Sequence, residues 1–228
     1  MITMITFDKV TKKYAFGNLA LDQVSFQIDN NDFVFLVGPS GAGKTTILKL
    51  LLREFIPTSG TIIIDDKDIS TKRFRNIYKL RQRIGVVFQD FKILNEKNVY
   101  ENIALSLQVT GMPDYQIKKE VMDALELVNL SHKERQFPTQ LSAGELQRVA
   151  IARAIVGNRD IILADEPTGN LDPKTTWEIM RIFKKLEGTK TILFATHNSD
   201  IVNSLRKRVL TMKDGKLVKD SRKGGYDL

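Results

Sequence analysis

The chain has 228 residues, 42% hydrophobic and 27% charged, with a formal net charge of +8 and no cysteine. That length supports one well-filled core, or one core with a smaller lobe. The composition excludes a disulfide framework, a thiolate metal site and a cysteine nucleophile, and no apolar run approaches the ~18 residues a membrane span needs.

The lack of cysteine fits a cytosolic protein. With no membrane span and no secretory signal before the first strand, any membrane role is expected through a partner or the protein surface. The repeated Met1-Ile2-Thr3 and Met4-Ile5-Thr6 points to an alternative start or an artefact. Much of the positive charge sits in two stretches. Residues 72–83 hold six basic side chains and no acid, and residues 206–223 hold eight basics against Asp214 and Asp220. These are solvated faces, or surfaces for phosphate head groups or acidic loops of a partner.

Thr3 to Val10 and Ala20 to Ile28 alternate as half-buried antiparallel strands do, and Phe33 to Val37 is a continuous apolar run, as in a strand covered on both faces. Lys44 to Phe55 has helical spacing and is followed by Pro57. Thr61 to Ile64 and Ile84 to Phe88 read as strands. Helical periodicity runs from Val99 to Asn129, broken at Gly111-Met112-Pro113, and returns from Ala143 to Val156. Strand Ile161 to Ala164, helix Pro173 to Leu186, strand Thr191 to Ala195 and helix Ser199 to Leu205 follow in βα alternation. Strands Arg208 to Met212 and Lys216 to Lys219 close around a Lys213-Asp214-Gly215 turn. The βα units predict a parallel sheet with helices on both faces. A helical insert divides that sheet in sequence, giving one α/β core with a helical lobe.

Gly38-Pro39-Ser40-Gly41-Ala42-Gly43-Lys44-Thr45-Thr46 matches G-x-x-x-x-G-K-[ST] after a buried strand and at the start of a helix. Glycines let successive N–H groups face one point, and the helix N-terminus favours an anion. Lys44 is expected to reach the β- and γ-phosphates of ATP, and Thr45 to offer its hydroxyl to Mg²⁺. Ile161 to Ala164 ends in Asp165 and Glu166. Beside a phosphate-binding loop, Asp165 takes the Mg²⁺ shell and Glu166 the attacking water; alone, the pair would read as acids capping a loop. His197 ends the following strand, where a histidine is a structural residue or one that contacts the γ-phosphate. Gln89, at another strand end, is a Mg²⁺ or water ligand, or satisfies its own turn. Tyr14, in the first hairpin, stacks on adenine or packs in the core.

Leu141-Ser142-Ala143-Gly144-Glu145 is a capping box, Ser142-x-x-Glu145, at the start of a helix. Gly144 is not needed for capping. With small residues around it, the helix start offers bare N–H groups to an anion, and that anion is expected from a second subunit.

With these residues assembled, the chain resembles the nucleotide-binding subunits of ABC ATPases over nearly its whole length. Tyr14, the Walker A loop, Gln89, the signature at 141–145, the Walker B pair Asp165-Glu166 and His197 occur in the family's order, and Gly169-Asn170-Leu171-Asp172 is similar to its D-loop. The resemblance implies a P-loop NTPase, RecA-like core at about 1–89 and 158–228. It adds an antiparallel β subdomain and a helical subdomain at about 90–157. It implies an ATP-dependent homodimer in which Ser142, Gly144 and Glu145 meet the partner's nucleotide. Ala143 departs from the family's usual glycine and crowds that contact slightly.

Within the family, residues 85–94, 99–103, 170–173, 177–180 and 197–199 are most similar to the cell-division branch. That branch implies an integral membrane partner docking beside Gln89 to Leu94, peripheral attachment at the cytoplasmic side of the membrane, and control of peptidoglycan hydrolases. Residues 167–172 are equally similar in lipoprotein-releasing and macrolide-export ATPases, so export is the alternative. A nucleic-acid-linked ATPase would need a second nucleotide domain or a long coiled-coil insert, and neither is in the sequence.

Overall fold

The computed structural model describes residues 3–15 and 17–225. Met1 of the repeated start lies outside them. In chain order the elements are β1 (Thr3–Lys13), β2 (Leu19–Asp29), β3 (Phe33–Val37), α1 (Lys44–Leu51), β4 (Ser59–Ile64), β5 (Lys67–Asp68) and α2 (Ile77–Gln82). Next come β6 (Ile84–Val87), α3 (Val99–Gln108), α4 (Asp114–Leu127), α5 (Ala143–Ile155) and β7 (Ile161–Asp165). The chain closes with α6 (Pro173–Leu186), β8 (Thr191–Thr196), α7 (Ser199–Leu205), β9 (Arg208–Lys213) and β10 (Lys216–Ser221). By compactness it divides into two units, Met1–Arg81 with Glu187–Leu228, and Gln82–Leu186. Residues 90–157, expected as a helical subdomain, lie in the second unit together with β6, β7 and α6.

In the first unit, β2, β1, β4 and β5 form an antiparallel sheet in that order. Burial alternates along β2, as a one-faced sheet requires. β3 is buried at all five positions and pairs in parallel with β8 on one side and β9 on the other. Its apolar run matches burial of side chains on both faces of the sheet. Phe35 meets Phe194 edge to face at 5.5 Å, and both are fully buried. Full burial of each such side chain contributes about 1.5–3 kcal/mol.

The second unit pairs β6 with β7 in parallel. α5 packs against α3, α4, α6 and β6. The approach of α5 to β6 depends on Gly85, where a Cβ would collide with the carbonyl oxygen of Ala154. Apolar residues of α3 (Val99, Ile103, Leu107) and α4 (Val121, Leu125) complete this core.

Four features depart from the sequence expectation. α1 stops at Leu51 rather than Phe55 because Arg53 takes a left-handed φ of 57°, and the amides of Glu54 and Phe55 turn back to the carbonyl of Lys49. α2 has six residues with Leu80 its only buried one, too short to show a period. β5 has two residues, and the 3₁₀ turns Ser131–Lys133 and Pro138–Gln140 have three each. Among the described residues, no helix is long and apolar enough to cross a membrane.

Candidate nucleotide site and signature helix

The residues singled out in the sequence divide between the two units. Tyr14, residues 38–46 and His197 lie in the first; Gln89, residues 141–145, Asp165, Glu166 and residues 169–172 lie in the second.

In the first unit, strand register brings two segments to one sheet edge. Val37 pairs with Thr196, so the Gly38 loop and His197 leave adjacent parallel strands at the same end. Open α/β sheets bind ligands at such an edge. The loop curls tightly. Gly38 has φ 149° and no room for a Cβ against the Met212 carbonyl. Gly43 caps α1 at φ 103°, with Leu21 Cδ2 2.7 Å from where its Cβ would be. No side chain caps α1, so its first amides face outward with the positive end of the dipole. Pro39, Ser40, Gly41 and Thr45 are exposed, and Ala42 and Thr46 are buried.

Lys44 is only 7% exposed, and its Nζ donates to the carbonyls of Gly38 at 2.7 Å and Pro39 at 3.2 Å. The ammonium therefore sits inside the loop that the amides outline. Tyr14 is half-buried. Its hydroxyl lies 3.1 Å from Thr46 Oγ1, its ring meets Phe55 edge to face at 5.4 Å, and Lys12 Nζ stands 5.7 Å from the ring centre. His197 is exposed, and Asn198 beside it caps α7 by accepting from the amides of Asp200 and Ile201.

In the second unit, Val87 pairs with Ala164, so Gln89 and the acids Asp165 and Glu166 also follow adjacent parallel strand ends. Glu166 has a left-handed φ of 48°, and its carbonyl accepts from Gly169 N–H at 3.1 Å. The amide of Gln89 lies against Gly169. A Cβ on that glycine would be 3.2 Å from Gln89 Nε2. The oxygens of Gln89 and Asp165 here, and separately that of Thr45 in the first unit, are hard donors of the kind Mg²⁺ takes. Among the described residues no three acids or histidines converge on one point.

The signature begins α5. Ser142 is the N-cap, with its Oγ accepting from Glu145 N–H at 3.3 Å while its own N–H donates to Glu145 Oε2 at 2.9 Å. The Ser142 hydroxyl also lies 3.0 Å from that oxygen. Glu145 Oε1 pairs with Lys133 Nζ at 2.5 Å. The Lys133 bond, then the Ser142 amide, hold the Glu145 carboxyl at about 2, well below its ordinary value. Ser142 and Ala143 are exposed, but Gly144 is buried. A Cβ at Gly144 would collide with Thr175 Cγ2 in the first turn of α6. The sequence assigned this glycine to anion binding; packing within the chain requires it as well.

A family profile described as "ABC transporter" matches residues 21–169. The chain belongs to the ABC transporter ATP-binding family. As a member of this ABC family, it is an ATP-binding and ATP-hydrolysing subunit with the P-loop α/β fold. It is 50% identical over 225 residues to the cell division ATP-binding protein FtsE of Bacillus subtilis, covering 98% of each chain. It is 48% identical to FtsE of Streptococcus pneumoniae, covering 99% of this chain and all of the relative. The solved dimer of the ATP-binding cassette MJ0796, in a post-hydrolysis state bound to ADP and Pi, is 34% identical with a TM-score of 0.87 and covers 98% of this ABC chain.

Lys133 and Thr175 were not found from the sequence. Each acts through a contact between separate elements. The capping-box spacing at 142–145 pairs Glu145 with Ser142 and carries no signal of either contact.

Proposed function

We propose that the chain is the ATPase subunit of a membrane-bound cell-division complex, working with an FtsX-like integral membrane protein at the cytoplasmic side of the membrane to control peptidoglycan hydrolysis. The observation that carries this is identity of 50% to an FtsE protein across 98% of both chains. The membrane partner docks beside Gln89 to Leu94; residues 90–157 form the helical subdomain, and residues 1–89 with 158–228 form the nucleotide core.

ATP binds with Tyr14 on the adenine and residues 38–46 around the phosphates. Lys44 and the amides at the start of α1 offset negative charge as it develops in the transition state. Thr45, Gln89 and Asp165 hold Mg²⁺, which supplies charge neutralisation on the phosphate oxygens when bound. Glu166 orients and deprotonates the attacking water, and His197 hydrogen-bonds the γ-phosphate. Phosphoryl transfer to water needs no covalent intermediate with a side chain. Ser142 and Gly144 complete the site from a second subunit, with Glu145 holding Ser142 in place. Support comes from the shared strand edges, the uncapped α1 and the capped start of α5.

Purification of the tagged chain from membranes of its own host tests the assignment. One small integral membrane protein should accompany it. A larger envelope-spanning export assembly, or no membrane protein, would overturn the division role while leaving the ATPase assignment intact.

A further inference from the structure

We propose that Lys133 is a positioning residue for the ATP-bound dimer: it neutralises Glu145 so that the start of α5 can accept the γ-phosphate of a second subunit. The inference rests on the reading that Ser142 and Gly144 act across a dimer.

The capping box places a carboxylate at a position meant for an anion. Glu145 lies in the first turn of α5, and its Oε2 accepts both the Ser142 amide at 2.9 Å and the Ser142 hydroxyl at 3.0 Å. A carboxylate there suits the isolated helix, since the dipole favours negative charge at its N-terminus. It opposes a phosphate approaching the same N-terminus, and it already holds the hydroxyl proton that Ser142 would donate. Lys133, at the end of the 3₁₀ turn Ser131–Lys133, removes both obstacles. Its Nζ is 2.5 Å from Glu145 Oε1, with the two side chains 20% and 17% exposed. At that burial the pair is screened far less than a surface pair. The ammonium cancels the local charge and draws electron density from the carboxylate, which weakens its hold on the Ser142 proton. The hydroxyl can then turn to the phosphate while Glu145 still fixes the Ser142 backbone.

A neutral residue at 145 would not need Lys133. Glutamine satisfies the same capping geometry without charge, which separates electrostatic positioning from simple support of the fold. The experiment uses the full chain carrying Glu166→Gln, with ATP-driven dimerisation followed by analytical ultracentrifugation. Lys133→Met keeps the aliphatic stem and loses the charge; it should weaken the dimer about tenfold or more. Lys133→Arg should stay within about threefold of the parent, since it keeps the charge. Lys133→Met with Glu145→Gln should return to near the parent. Lys133→Met without effect, or a double variant as weak as Lys133→Met alone, would overturn the inference. If the Glu166→Gln parent does not dimerise in ATP, the trans reading of the signature fails instead.

Discussion

Gly144 lies against the γ-methyl of Thr175, with no space for a Cβ between them. Thr175 cannot easily give way. Its hydroxyl donates to Asp172 Oδ2 at 2.5 Å and its amide to Asp172 Oδ1 at 3.0 Å, which fixes its rotamer at the start of α6. Arg148, four residues on from Gly144, pairs with Glu178 of α6 at 2.9 Å. The signature helix and the segment 169–172 are therefore held together within one chain.

Gly144→Ala should lower stability by about 1–3 kcal/mol through overpacking, less the better helix propensity of alanine. Adding Thr175→Ser removes the methyl and keeps the bond to Asp172, so it should restore most of the loss. Urea unfolding of the single and double variants measures the coupling. Additive effects would mean that the contact carries no strain.

Glu145 gives the fold an acid-sensitive contribution. Its carboxyl is held at about 2, first by Lys133 and then by the Ser142 amide. In the unfolded chain it titrates near 4.5. Between those values the unfolded state binds more protons, so stability falls as pH drops through that window and is fully present above it. Glu145→Gln should be less stable than the parent by about 1–2 kcal/mol at pH 7. The gap should hold down to roughly pH 5 and close towards pH 2. Denaturant midpoints across that range provide the measurement.

Tyr14 is anchored by its hydroxyl at Thr46 and by a perpendicular ring contact with Phe55. Tyr14→Ala should raise the KM for ATP by roughly 5- to 150-fold, the equivalent of about 1–3 kcal/mol of lost stacking. Tyr14→Phe should change it little, because only the hydroxyl bond to Thr46 is lost. If the ring serves packing alone, Tyr14→Ala will lower the melting temperature and leave the KM unchanged.

Lys44 is enclosed by its own loop, with the Gly38 and Pro39 carbonyls as acceptors. Lys44→Ala should leave the fold intact and remove most nucleotide-induced thermal stabilisation. Turnover should fall by at least ~100-fold, the cost of removing one preorganised charge donor. Retained turnover would move the phosphate site elsewhere.

The strands were legible where burial leaves a pattern. β3 reads as an unbroken apolar run because all five of its residues are buried, on both faces of the sheet, and α7 begins where Asn198 caps it. α2 was not legible, since six residues with one buried side chain carry no period. At the signature, the capping box could be read from four consecutive positions. Its outer half could not: Lys133 reaches Glu145 from a 3₁₀ turn, and Thr175 reaches Gly144 from another helix. The packing role of Gly144 was not legible, because sequence spacing cannot reveal what packs against a Cα.

In the proposed ATP-bound dimer, the signature of a second copy of this chain completes the ATP site. Sedimentation of the Glu166→Gln variant in saturating ATP and in ADP tests it most directly. A species of twice the monomer mass is expected in ATP and a monomer in ADP. Adding Ser142→Arg should abolish the dimer while each monomer still binds ATP. A Glu166→Gln chain that stays monomeric in ATP, or a dimer indifferent to Ser142→Arg, would contradict it.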